Sequence, residues 1–241
     1  RPEAMNSIDP EMRQEIVRVF DDFKKDDRMM LAILTGAGER AFCAGADLKK
    51  TLPPNESFAV EYLNENTHMH FIESLQTMKP IICAVNGYAL GGGLELALAC
   101  DIRIASKNAS FGLSEVRVAS IPAAGGTQRL PRAIPRAIAM KMLLTGQRIS
   151  AEEAYRIGLI SDLVELPDLL PTAENIAATI CENGPLAVYA VKKLVTEGAD
   201  LPLREAIMLE RLMFGNVRNT EDRIEGRKAF AEKRKPNYKG R

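Results

Sequence analysis

The sequence predicts an α/β fold, and three observations predict it. Short apolar runs at residues 30–35 and 80–85 have the length and continuity of strands buried on both faces, and residues 102–105 read as a third strand. Between them lie stretches with helical spacing of apolar residues, so strand and helix alternate and parallel pairing is the expected arrangement. Glycine clusters at Gly36-Ala37-Gly38 and Gly91-Gly92-Gly93 close two of these elements, as tight turns require.

Taken in order, Asp9-Pro10 reads as an N-cap and first helical residue, followed by Met12, Ile16, Val19, Phe20 and Phe23 on one face. Residues 41–46 are small and extended. Pro53-Pro54 breaks the chain, and residues 56–78 carry Phe58, Tyr62, Ile72 and Leu75 on an interrupted helical period. Residues 81–100 hold a single charge, yet Asn86, Glu95 and four glycines argue against a membrane span. A buried strand, a glycine turn and a buried helix over residues 94–100 are expected instead. Ser150 to Glu153 forms a capping box, residues 162–166 make a last short strand, and Pro185, Pro202 and Gly215 punctuate at least three C-terminal helices. Those helices carry Leu209, Leu212, Met213 and Phe214, an apolar set suited to packing on a partner. The expected division is a core over residues 1–184 and a helical region over residues 185–241.

Lys+Arg and Asp+Glu both number 32, so the formal net charge is zero and no overall field draws the chain to nucleic acid or anionic lipid. The first helix, with Glu11, Glu15, Asp21 and Asp22 beside Arg13 and Arg18, has no basic stripe. A small-molecule ligand is expected. Cys43, Cys83, Cys100 and Cys181 lie in apolar surroundings without CxxC pairing and read as buried thiols of a reducing compartment. With no signal peptide in view, the cytoplasm or a mitochondrial matrix is the expected location. His68 and His70, the only histidines, have no metal-ligand spacing around them and read as exposed helix residues. Walker, GxGxxG and GxSxG motifs are missing, which removes support for nucleotide, dinucleotide and serine-nucleophile chemistry.

Glu95 is the most informative residue. Its neighbours are three glycines, leucines and alanines, and a carboxylate buried in such company is costly unless paired or protonated. Desolvation would raise its pKa and suit it to acid or base work near neutrality. The glycines before it bare a helix N-terminus whose N–H donors lack partners. Ala41 to Asp47 offers a second bared backbone. Phe111 to Glu115 leads into the small-residue turn Ile121 to Gln128, where Glu115 reads equally as a functional or a surface acid. The basic run Lys228, Lys233, Arg234, Lys235 and Lys239 is either a solvated face or a phosphate contact.

Four ordered stretches, AFCAGADLK at 41–49, AVNGYALGGGLELALACDIRIA at 84–105, FGLSEVRVASIPAAGGTQRLPR at 111–132 and EGRKAFAEKRKPNYKG at 225–240, together resemble the enoyl-CoA hydratase/isomerase (crotonase) superfamily. The resemblance implies a spiral of ββα units with a C-terminal helical trimerisation region, and a homo-oligomer, trimer or dimer of trimers. It implies an acyl-CoA substrate whose thioester oxygen is held by the backbone N–H groups of Ala46 and Gly92, with Glu95 and Glu115 as the catalytic pair. Ala44, Asp47, Leu48 and Lys49 would contact CoA on one side, and Phe230 and Lys233 of a neighbouring subunit on the other. No metal and no cofactor beyond the CoA ester are implied. Because isomerases of the family usually keep an acid only at the second position, hydration of a 2-enoyl-CoA leads over isomerisation. A non-catalytic RNA- or partner-binding protein on the same scaffold is the other alternative. Within the family the wording is nearest methylglutaconyl-CoA hydratases of leucine breakdown, then short-chain enoyl-CoA hydratases of fatty-acid metabolism. Ala123-Ala124 stands where glycines are frequent, and Ser114 where Pro or Val is common. The chain also begins where the family's first strands have ended, which implies a missing first hairpin.

Overall fold

The computed structural model describes residues 1–50 and 71–241 and divides them into two compact units. Of the described residues, the first comprises 1–26, 33–50, 71–76 and 81–174; the second comprises 27–32, 77–80 and 175–241.

The first unit is built on two four-stranded sheets. One has the order β1 (Ala32–Thr35), β3 (Ile81–Val85), β5 (Ile102–Ser106), β8 (Asp162–Val164); the other has β2 (Ala41–Cys43), β4 (Tyr88–Leu90), β6 (Ser110–Gly112), β7 (Ile149–Ser150). From β1 to β6 successive strands fall in different sheets, while β7 returns antiparallel beside β6; β3 and β4 are followed by helix α2 (Gly92–Ala99), and β5 and β6 lead on to α3 (Gly126–Ala133). Within each sheet the repeats lie parallel, Ile82 opposite Ile102 in one and Ala89 opposite Phe111 in the other. Repetition of ββα with parallel neighbours is a spiral, as expected from the sequence. All five residues of β3 are buried, which is why its apolar run is continuous rather than alternating.

The turns between sheets are held by one side chain and by missing Cβ atoms. Asn86 accepts from Gly36 N at 3.1 Å and donates to Gly36 O at 2.9 Å, tying one repeat to the next. A Cβ on Gly87 would lie 2.3 Å from the Arg40 carbonyl oxygen, so only glycine lets these backbones meet.

Helix α1 (Pro10–Lys25) starts as the sequence predicts, with Asp9 accepting from Met12 N at 2.9 Å and Phe20 and Phe23 buried. At α5 (Ala151–Arg156) the Ser150 hydroxyl accepts from Glu153 N, but the Glu153 carboxylate turns to Arg156 at 2.7 Å, so only half of the expected capping box forms. Two further helices, α4 (Arg136–Thr145) and the start of α6 (Leu169–Cys181), complete this unit. Sequence periodicity misses β4 and β6 because three-residue strands are too short to show one.

The second unit takes up the rest of α6 and helices α7 (Pro185–Gly198), α8 (Leu203–Arg218) and α9 (Glu221–Ala231). It thus begins inside α6, at Asn175, ahead of the expected boundary at residue 185. Tyr189 and Lys192 of α7 hydrogen-bond the carbonyls of Met30 and Lys79, drawing two short segments of earlier chain into it. Gly215 lies within α8 rather than between helices, a correction that follows from the tolerance of single glycines in helix interiors. Leu212 and Phe214 on α8 are exposed. Within the C-terminal basic run Arg234 is neutralised locally, forking onto Glu225 at 2.6 and 2.9 Å and also reaching Glu232.

Cys43, Cys83 and Cys100 are buried, and burial pushes the Cys43 thiol up to about 11, which makes it inert. Cys181 is exposed at the end of α6, so the expectation of four buried thiols holds for only three of them. His68 and His70, and most of the helical pattern over residues 56–78, lie outside the described residues. A 3₁₀ turn occupies Glu73–Leu75. Among the described residues no helix is long and apolar enough to cross a membrane.

Candidate active site

Helix α2 begins where the chain must pass close to β2. Gly91 has φ +51°, and a Cβ on Gly93 would stand 2.1 Å from the Cys43 carbonyl oxygen, so the glycines set the distance between the helix start and the segment after β2. That segment is pinned from the other side. Ile8 N donates to Gly45 O at 2.8 Å and Asp47 N to Ile8 O at 2.9 Å, a parallel bridge centred on Ala46. In such a bridge the flanking residues make the bonds, so the N–H of Ala46 points away from Ile8, toward α2. Ala46 N lies 3.9 Å from where a Cβ on Gly92 would be. Gly92 is the first residue of α2, so its N–H has no acceptor within the helix. Two unpaired donors are therefore brought side by side.

Glu95 is 3% exposed, one turn into the same helix. Its Oε1 accepts from the N–H groups of Ala124 and Gly126, both at 2.8 Å. This anchor comes from the turn before α3, where Gly125 takes φ +99° and the Arg129 guanidinium closes the loop by donating to Ala124 O at 2.8 Å. A Cβ on Gly126 would sit 3.0 Å from Glu95 Oε1, so that glycine is required for the carboxylate to be held. Glu115 opens a short 3₁₀ turn after β6 and is half-buried against Gly91, where a Cβ would lie 3.2 Å from its Oε1. Its Oε2 is buried with no hydrogen-bond partner.

Both carboxyls are held above the usual glutamic-acid range. For Glu95 the cause is burial, opposed by the Gly126 and Ala124 N–H bonds and by the charge of Arg129. For Glu115 it is burial first, with the negative charge of Glu95 adding to it. The folded protein therefore keeps protons there that the unfolded chain releases, so stability falls as pH rises from the ordinary glutamic range through the raised folded values. Thermal unfolding across that window should show a shallower fall for a Glu95→Gln, Glu115→Gln double variant than for the parent. Equal slopes would show that the two groups titrate alike in both states.

These groups line one pocket of about 350 Å³. Of the residues expected from the sequence, the structure places Ala44, Ala46, Leu48, Gly92, Glu95 and Glu115 around it. Asp47 and Lys49 adjoin it without lining it; Asp47 pairs with Arg1 at 2.8 Å and accepts from Lys49 N. Phe230, 88% exposed on α9, and Lys233, at φ +53° just beyond it, belong to the second unit, where Phe230 edges a different cavity of about 490 Å³. Sequence reasoning missed Arg13, Phe71, Ser120 and Arg148 in the pocket wall. It singled out the 121–128 turn for its small residues but not its role as the cradle of Glu95.

A largely apolar cavity presenting two adjacent, unpaired N–H donors and two carboxyls held above their ordinary range can stabilise a developing negative charge and exchange protons. The chain's sequence matches over residues 1–241 the family described as enoyl-CoA hydratase/isomerase. The chain belongs to that family. It is 52% identical over 240 residues to the (E)-benzylidenesuccinyl-CoA hydratase of Thauera aromatica, covering all of this chain and 93% of that protein. With the short-chain-enoyl-CoA hydratase of Clostridium acetobutylicum it shares 41% identity over 236 residues, 98% of this chain and 90% of the other. An enoyl-CoA hydratase crystal structure from Bacillus anthracis superposes with a TM-score of 0.93 at 42% identity, covering 100% and 93% of the two chains. The crotonase spiral read from the sequence is thus the fold of this enoyl-CoA hydratase/isomerase family member.

Proposed function

We propose that this protein catalyses reversible syn addition of water across the 2,3 double bond of an enoyl-CoA thioester. The N–H groups of Ala46 and Gly92 bind the thioester oxygen and stabilise the negative charge that develops there, each worth roughly 2.7–4 kcal/mol in the transition state. Glu95 takes a proton from the water as its oxygen bonds to the β-carbon, and Glu115 delivers a proton to the α-carbon. The balance is one C–O and one C–H bond formed for one O–H bond and one π bond broken, with no change of oxidation state in any cofactor. Return of the proton from Glu95 to Glu115 resets the pair, and two carboxyls whose charges interact titrate as a unit.

The observation that carries this reading is the presence of both carboxyls in one pocket. An isomerase moves one proton along its substrate and needs a single acid/base; a hydratase must activate water and protonate carbon. Hydratase-named relatives at 41–52% identity support the same reading. In water enriched in heavy oxygen, the product of a 2-enoyl-CoA should carry the label at the β-carbon. Glu115→Gln should lower the rate of its appearance by about two to four orders of magnitude. Conversion of a 3-enoyl-CoA to its 2-enoyl isomer, without label and undiminished in Glu95→Gln, would replace hydration by isomerisation.

A further inference from the structure

The same pocket holds a cation that hydration of the double bond does not use. Arg13 and Arg18 both lie on α1, yet they behave differently. Arg18 sits on the outer surface, paired with Glu15 at 2.7 Å and Asp22 at 3.5 Å. Arg13 turns into the wall of the pocket beside Ile8 and Phe71, with its guanidinium carbon 5.7 Å from the Phe71 ring centre. Its Nε is buried and has no hydrogen-bond partner. A guanidinium N–H removed from water and left unbonded costs free energy, and such a cost is recovered when a ligand supplies the acceptor. Nε together with one terminal nitrogen is one side of the fork that a carboxylate fills with two parallel bonds.

We propose that Arg13 binds a carboxylate carried by the acyl group, so that the preferred substrates are enoyl-CoA thioesters with a second acid function. This rests on the hydratase reading for the chemistry, though not for the binding. Two observations favour the acyl carboxylate over the phosphates of CoA as the anion. The unpaired nitrogen is closed off from solvent, whereas phosphate groups are strongly hydrated and suit exposed donors. It also lines the cavity that holds Glu95 and Glu115, where a further negative charge would be repelled unless a cation met it. Arg148, the other arginine of this wall, likewise lies over a ring, 5.5 Å from the Tyr88 centre, but among the described residues it has no buried nitrogen left unbonded.

Binding of two saturated, unreactive thioesters separates this proposal from the hydratase reading. Glutaryl-CoA carries the second carboxylate and butyryl-CoA does not; both present the same CoA. By calorimetry the parent protein should bind glutaryl-CoA at least about tenfold more tightly, the lower end for a hydrogen bond to a charged group. In Arg13→Met the ratio of the two dissociation constants should fall to near one, and Arg13→Lys, which keeps the charge without the fork, should leave an intermediate ratio. The matching enoyl esters, glutaconyl-CoA and crotonyl-CoA, should show the same dependence in kcat/KM. A parent ratio near one, or a ratio that Arg13→Met leaves intact, would overturn the proposal. Equal weakening of both esters in Arg13→Met would assign the arginine to the CoA phosphates instead. If neither enoyl ester is hydrated but the binding ratio behaves as expected, the hydration reading fails and the carboxylate site stands.

Discussion

Glu95→Gln should lower turnover by about two to four orders of magnitude while leaving CoA-ester binding in place. The substitution is a clean one for structural reasons. The amide oxygen can take over both bonds that Oε1 accepts from Ala124 N and Gly126 N, so the turn that cradles the side chain need not move. What is lost is the ability to accept a proton from water. Because the native carboxyl is held above its ordinary range by burial, a neutral isostere also removes a buried charge, and the variant should melt no lower than the parent at neutral pH. Steady-state hydration of crotonyl-CoA and a thermal melt measure both. Near-normal turnover in a well-folded variant would remove Glu95 from the mechanism.

Gly93→Ala should damage both stability and turnover, by a different route. Its new methyl would lie 2.1 Å from the Cys43 carbonyl oxygen and 2.8 Å from the carbonyl carbon, both backbone atoms that cannot swing aside. Helix α2 and β2 must separate, which costs about 1–3 kcal/mol or more as overpacking and shifts Gly92 relative to Ala46. The expected result is a fall in melting temperature together with a loss of kcat of about tenfold or greater, since a displacement of that size disturbs the donor pair proposed to hold the thioester oxygen. Gly215→Ala is the natural comparison. Nothing lies within 4 Å of its added methyl on α8, so the same chemical change should stabilise by about 0.5–1 kcal/mol. If Gly93→Ala proved as harmless as Gly215→Ala, the close approach of α2 to β2 would not be what sets the donor pair.

Much of this was legible before any coordinates. The continuous apolar run that became β3 needs no partner to be recognised, because burial on both faces removes the alternation that a half-exposed strand shows; the same expectation for β1 holds only in part, since its residues are half-buried and Thr35 is exposed. The N-cap of α1 depends on Asp9 and Pro10 alone. Glu95 could be read as buried because the helix around it offers no polar face, a local property of residues 91–100. Ala46 and Gly92 were named through the resemblance of their motifs, and the physical ground for that, small residues baring the backbone, is also local.

What the sequence by itself determined, then, is the α/β class, the crotonase spiral implied by its motifs, and the presence of a buried acid behind a glycine-rich helix start. Tertiary structure alone decided the rest, because the deciding contacts join residues far apart in the chain. Glu115 reads equally as a surface acid until Gly91 and the field of Glu95 are placed against it. The turn at 121–128 is only a run of small residues until two of its N–H groups close on a carboxylate about thirty positions earlier. Cys181 lies in an apolar stretch, yet its position at the end of α6 leaves it exposed. Arg13 is one charge among many on an amphipathic helix, and nothing local distinguishes it from Arg18. Only the packing of α1 against Phe71 and the pocket takes its Nε out of water and leaves it without a partner, and burial is a property of the whole fold rather than of any one segment.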